Sequence, residues 1–264
     1  MNRLILILIL NAVVLMSCNK DAAPLYDSAA KAPLSIEFDN IAGGADLLLN
    51  NGHYTNAVGE KFTVTKLKYF VSNFVLTSID GTVYTVPQDS SYFMIDESDK
   101  STDQPVVNLP EGEYKALTFT VGIDSLRNTM DISKRTGVLD PATTAADMYW
   151  GWNSGYIFLK IEGTSPASTA AGNAYMYHVG GFGGYNTPTP NNIKTVTLDL
   201  TARGTPKVKA GKKTNIHLFV DVLRVLNGSS NISFAEVSMI HSALAAIPLA
   251  NNYTQMFKHD HTEN

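Results

Sequence analysis

From Leu34 onward, apolar and polar residues alternate with period two in one short run after another, and no stretch of about 12 residues repeats its apolar positions at helical spacing. Alternating or β-branched and aromatic runs occur at 34–38, 62–67, 68–77, 82–86, 91–95, 114–121, 156–161, 174–179, 193–200, 214–220 and 232–234. Asp80-Gly81 is a tight-turn signal that makes a hairpin of the runs on either side, and 110–113 (PEGE) reads as the turn before 114–121. Short helical pieces are predicted at 124–127, 221–226 and 242–250. Many short strands without long intervening helices exclude a βαβ fold. They predict an all-β protein, an antiparallel β-sandwich with long loops and a few short helices.

At 264 residues the chain has room for one large all-β domain or two small ones. No internal repeat and no linker past residue 33 divides it, which predicts a single domain over 34–264. With 44% hydrophobic and 17% charged residues it has material for a sizeable core and too little charge for disorder. Twenty Lys and Arg against 24 Asp and Glu give a net charge of -4, so nucleic acid is excluded as the main partner. The single Cys rules out a disulfide scaffold, a four-thiolate cluster and a CxxC redox pair.

That Cys is Cys18, at the end of an N-terminal segment with the grammar of a secretory signal. Arg3 precedes an apolar run from Leu4 to Leu10, continued after Asn11 to Met16, shorter than the roughly 20 residues of a membrane span, and Ser17 lies just before Cys18. The sequence Leu15-Met16-Ser17-Cys18 resembles the lipobox of bacterial lipoproteins, with Met at a position where a smaller residue is usual. The resemblance implies removal of residues 1–17 and acylation of Cys18. The protein would then be held on a bacterial envelope membrane, expected to be the outer membrane, on its periplasmic or surface face. Residues 18–33, without apolar periodicity, read as a tether.

Familiar enzyme signatures are absent: there is no GxSxG, no HExxH, no phosphate-binding Gly-Lys-Ser/Thr loop and no CxxCH for haem. The acidic stretch 96–103 lacks the register of an EF-hand and reads as a solvated loop rather than a weak calcium site.

Residues 148–163 (MYWGWNSGYIFLKIEG) hold both Trp residues, Trp150 and Trp152, one residue apart, so an extended backbone would put them on one face. Core filling is the ordinary use of such a pair, but Gly151 and Gly155 thin the cover around the indoles. In 175–178 (YMYH), Tyr175 and Tyr177 share one face while Met176 and His178 share the other, and a glycine-rich loop follows at 179–185. His217 shares a face with Phe219 and Asp221; His241 lies near the end of the domain; His53 sits in a loop-like stretch. His259 and His261 fall in a polar tail, 258–264, which reads as frayed surface with adventitious metal pickup as its alternative. Imidazole and thioether donors suit copper better than calcium or magnesium, although spacing alone does not bring His178 and His241 together.

Taken as blocks, IEFDN, KLKYFVSNFVL followed by DG, YFMID, LPEGEYKALTFTVGID, MYWGWNSGYIFLKIEG, YHVGG, VDV and NNYTQMF make the chain resemble the MbnP-like family of periplasmic or lipid-anchored bacterial copper-binding proteins. The resemblance implies a β-sandwich that binds copper through imidazoles, in some members beside a kynurenine made by oxidising a Trp. It further implies a dihaem peroxidase-like partner as the oxidant, since this chain carries no haem motif. The matching ligands here are His178 and His241, with His53 as a third candidate; the Trp is Trp150 or Trp152. Two readings follow, both without turnover. One is a copper-binding lipoprotein; the other is an adhesion or carbohydrate-binding sandwich whose histidines are ordinary. A stripe of exposed aromatic rings would favour the second, and convergence of His178 with His241 the first.

Overall fold

The computed structural model describes residues 26–151 and 155–264; Cys18, the signal segment and Trp152 lie outside the described residues. In chain order the strands are β1 (Lys31–Ala42), β2 (Ala45–Asp46), β3 (Tyr54–Thr55), β4 (Lys61–Ser78), β5 (Val83–Thr85), β6 (Tyr92–Asp96), β7 (Val106–Pro110), β8 (Gly112–Val121), β9 (Ile157–Thr164), β10 (Ala174–Gly180), β11 (Lys194–Asp199), β12 (Lys207–Val208), β13 (Thr214–Asp221), β14 (Met239–Ile240) and β15 (Phe257–Glu263). The helices are short: α1 (Ser125–Thr129), α2 (Leu223–Leu226) and α3 (Ile247–Tyr253), with six single-turn 3-10 segments among the described residues.

Two sheets form. The first runs β15-β13-β1-β2, with β7 also on β1. The second runs β11-β8-β4-β9-β10-β14, with β3, β5 and β6 on β4 and β12 on β8. Alternation decides which side chains meet between them. Ile36 and Phe38 of β1 and Ile216 and Leu218 of β13 are fully buried, while the intervening Glu37, Asp39 and His217 face outward. Phe38 and Phe257 from the first sheet interlock edge-on with Tyr69 and Phe119 from the second, at centroid separations of 5.0–6.3 Å. Among the described residues the chain is an all-β sandwich.

The second sheet is also covered on its other face. Phe70 and Phe158 point away from the first sheet into a separate cluster with Met148, Trp150, Tyr156 and Phe182, supplied largely by the long connection between β8 and β9. Burial on both faces explains why 68–77 reads as an almost continuous apolar run; it is the second half of one 18-residue strand, β4, bent where Asn73 takes φ +54°.

Several expectations change. Not every ladder is antiparallel: β1 pairs with β13, and β10 with β14, in parallel. Period-two alternation specifies a face, not a strand direction. The first strand begins at Lys31, ahead of the expected boundary at 34; Tyr26 Oη donates to Glu113 and the Asp27 N–H to Glu111, so residues 26–33 pack on the domain. Residues 106–110 form β7, leaving Glu111 alone between it and β8. Residues 232–234 are not a strand; Phe234 is a plug against Tyr175, centroids 4.5 Å apart. The acidic stretch 96–103 is not simply solvated. Glu97 is buried, accepts from Asn40 Nδ2 at 2.9 Å and pairs with Lys100 at 2.7 Å, while Tyr69 Oη donates to Asn40 at 2.9 Å. The polar tail is not frayed either: it is β15, paired with β13 along its length, with His259 buried.

Candidate metal centre

On the outer face of the second sheet, four neighbouring strands contribute side chains in register. Lys68 of β4 lies opposite Lys160 of β9, which lies opposite His178 of β10; one rung along the same strands stand Lys66, Glu162 and Met176. The parallel pairing of β14 then sets Met239 beside Met176 and brings His241, two residues on, beside His178. The two imidazoles stack with centroids 4.4 Å apart and planes 10° from parallel. The fold thus joins two residues 63 positions apart in the chain.

Lys160 and Glu162 set the chemistry around His178. Glu162 Oε1 lies 2.7 Å from His178 Nε2. A carboxylate accepts the Nε2 proton, which leaves the lone pair on Nδ1 and orients the ring, the support that metal-binding histidines ordinarily receive. Burial pushes the His178 pKa below its ordinary value, the charge of Lys160 and the nearness of His241 push the same way, and Glu162 opposes them. Lys160 is itself buried, donates to the Asp147 carbonyl and has its pKa lowered by burial. Asp147 Oδ2 lies 3.4–3.7 Å from the ammonium groups of Lys66, Lys68 and Lys160. Burial and Lys160 thus favour the neutral form of His178, the state a ligand needs.

Ring nitrogens hold their lone pairs in the ring plane, so two parallel imidazoles aim side by side rather than at one point. His178 is fixed by Glu162, whereas His241 is exposed and lies just past the end of β14. Convergence on one ion therefore asks His241 to turn.

Trp150 forms one wall. It is 6% exposed, with its ring centroid 6.3 Å from that of His178. It lies over Gly180, where a Cβ would come within 3.0 Å of the indole and 2.7 Å of the Tyr156 carbonyl, so a side chain there would displace it. Of residues 148–163, those from Ile157 onward are extended, in β9. Tyr149 bridges to Tyr156, the Trp150 N–H donates to the Gly155 carbonyl at 2.8 Å, and Gly155 turns at φ +64°, so Tyr149 and Trp150 lie antiparallel to Gly155 and Tyr156 just before β9. The expected sharing of one face with Trp152 falls on a residue outside the described ones.

His53 is exposed in the loop before β3. That strand meets β4 at Phe62, six residues from the Lys68 rung of His178, or roughly 20 Å along a strand. The structure does not bring His53 to the pair. Among the described residues the strongly exposed large apolar side chains include a single aromatic ring, Tyr185, so they form no stripe for stacking sugars. Glu162, Lys160 and Met239 were missed as neighbours of the pair, although the alternation of Lys160 with Ile161 and Glu162 already places the two charged residues on one face.

An all-β sandwich carrying a paired imidazole cluster on one outer face is the class that fold and site define. The MbnP family model matches residues 31–242, most of the chain, and the protein belongs to that family. The match stops short of the NNYTQMF block and of β15. Among solved structures, the chain is similar to "MbnP from Methylosinus trichosporium", with 18% identity, a TM-score of 0.53 and 80% of each chain covered; this likeness concerns the fold. No curated protein sequence matches the chain significantly.

Proposed function

We propose that this protein is a copper-associated, lipid-anchored envelope protein without turnover of its own, which holds copper at His178 and His241. Membership in the MbnP family supports the copper association. The observation that carries the site is the 4.4 Å stack of two imidazoles, one held by Glu162 and the other at an exposed strand end. Two imidazoles fit a copper ion, and the thioethers of Met176 and Met239, paired one rung away on the same face, add donors that favour its reduced form. In this role His178 is the preoriented ligand, Glu162 its orienting partner, His241 the ligand that closes on the ion, and Trp150 the apolar wall that limits water.

Oxidation of Trp150 or Trp152 to kynurenine by a dihaem partner belongs to the same proposal. The resemblance to copper-binding family members suggests it, and the ring of Trp150 beside His178 makes it chemically sensible. Anchoring through acylated Cys18 rests on the lipobox-like sequence; no helix among the described residues is long and apolar enough to cross a membrane.

Copper titration of the full chain tests the reading. One equivalent of copper(I) should bind, and His178→Ala and His241→Ala should each weaken it by about 100-fold or more, as loss of a direct ligand does. Unchanged copper affinity in both variants would sink the assignment. Peptide mass mapping of protein from its native host, in which Trp150 and Trp152 are both unmodified while copper is bound, would remove the kynurenine part alone.

A further inference from the structure

The outer face of the first sheet carries a second histidine cluster, built by a bulge. Along the β13–β15 ladder His217 pairs with His261, but the next residue, Leu218, pairs with His259, so Asp260 is an extra residue on β15. In a regular strand Asp260 would point opposite to both its neighbours. The bulge releases that alternation: His259 turns inward and is buried, while Asp260 and His261 both reach the imidazole of His217.

Asp260 Oδ2 lies 2.7 Å from His261 Nδ1 and 3.3 Å from His217 Nδ1, and the two rings stack with centroids 4.8 Å apart. One ligand atom from each of the three residues lies within 4.8 Å of the other two. The His217 Nδ1 is buried and makes no hydrogen bond, although the Asp260 oxygen is close. Its Nε2 faces Asp39 at 3.6 Å and Glu37 at 4.0 Å across the parallel ladder to β1; Glu263 lies 3.7 Å from His261 Nε2, and Arg203 lies 3.8 Å from Asp260. Two imidazoles and a carboxylate on a partly open face, ringed by three further carboxylates, favour a divalent cation. The mixed nitrogen and oxygen donors select a borderline ion of the zinc type over calcium.

We propose that His217, Asp260 and His261 form a second metal site, for a divalent ion of the zinc class, separate from the His178/His241 pair. Asp260 and His261 lie beyond the residues that the family model matches, so this site uses a strand outside the matched region. The carboxylates of Glu37, Asp39 and Glu263 hold the local potential negative and speed cation entry.

The test uses the full chain, purified in detergent, stripped with a chelator and titrated with zinc chloride. To count this site alone, the parent carries His178→Ala and His241→Ala. One equivalent of zinc should bind, and His261→Asn or Asp260→Asn should weaken it on the order of 100-fold. Cobalt(II) should show the intense visible bands of a tetrahedral site in the parent and lose them in both variants. His261 is exposed, so its substitution leaves the fold intact, which circular dichroism checks. Absence of zinc binding in the parent, or parental affinity in both variants, overturns the site. The two assignments fail separately: an unchanged copper(I) affinity in the parent removes the first, and zinc unaffected by His261→Asn removes the second.

Discussion

The two histidine clusters sit on opposite outer faces of the sandwich and use the same device, stacked imidazoles on adjacent strands, in contrasting settings. At His178 the neighbours are an indole, buried Lys160, two thioethers in register and one orienting carboxylate. At His217 the neighbours are carboxylates, with Asp260 reaching the Nδ1 of both rings. The first setting disfavours the charged form of His178 and favours a soft ion; the second favours the charged form of His261 and attracts hard or borderline cations. What surrounds a histidine pair, rather than the pair itself, therefore sets the ion it suits.

Covering is the sharpest difference, and removing it should have the largest effect. Trp150→Ala should cost about 3–5 kcal/mol of stability, measured by urea unfolding, because the indole fills the cluster between Gly180 and the β8–β9 connection. Removal of Phe219, whose ring meets His217 edge-on at 5.3 Å on a half-exposed face, should cost clearly less. Equal losses would show that the two faces are covered alike.

Donor softness comes next. Replacing Met176 and Met239 together by Leu should weaken copper(I) binding about tenfold, near 1.4 kcal/mol, and leave zinc binding at the other face unaltered. An unchanged copper(I) affinity in a competition assay would confine the first site to its imidazoles.

Proton affinity should separate the two faces in the metal-free protein. Burial lowers the His178 pKa below 6.5, so its contribution to stability is complete above pH 6.5 and is lost as pH falls through the depressed folded value. The hydrogen bond to Asp260 raises the His261 pKa above 6.5, with Glu263 adding to it. Its contribution is present below pH 6.5 and is lost as pH rises through the raised folded value. Proton NMR should therefore show His178 titrating at a lower pH than His261, and Glu162→Gln should lower His178 further. The reverse order would break the comparison.

The smallest effect concerns stability at the exposed members. His241→Asn and His261→Asn should each change metal-free stability by within about 0.5 kcal/mol, since both side chains are exposed, whatever they do to metal affinity. A larger loss at His261 would make it a structural part of the β13–β15 ladder.

Much of the fold was legible because local rules suffice. The Asp80-Gly81 turn between β4 and β5 and the inward set of β1 and β13 follow from turn chemistry and alternation. β15 was illegible because FKHDHTE has few β-formers; its pairing with β13, not its composition, keeps it extended. Glu97 was misplaced with its acidic neighbours because its partners, Asn40 and Lys100, come partly from a distant strand.

By itself the sequence determined the all-β class, the face on which residues of the regular strands lie and the types of donor available, since these depend on neighbours one to four positions away. Tertiary structure alone decided which donors meet. A parallel strand placed His241 beside His178, a bulge turned Asp260 toward His217, and the β8–β9 connection laid Trp150 over Gly180. Each of these depends on strand order, direction and register across long stretches of chain, which a period-two pattern leaves undetermined.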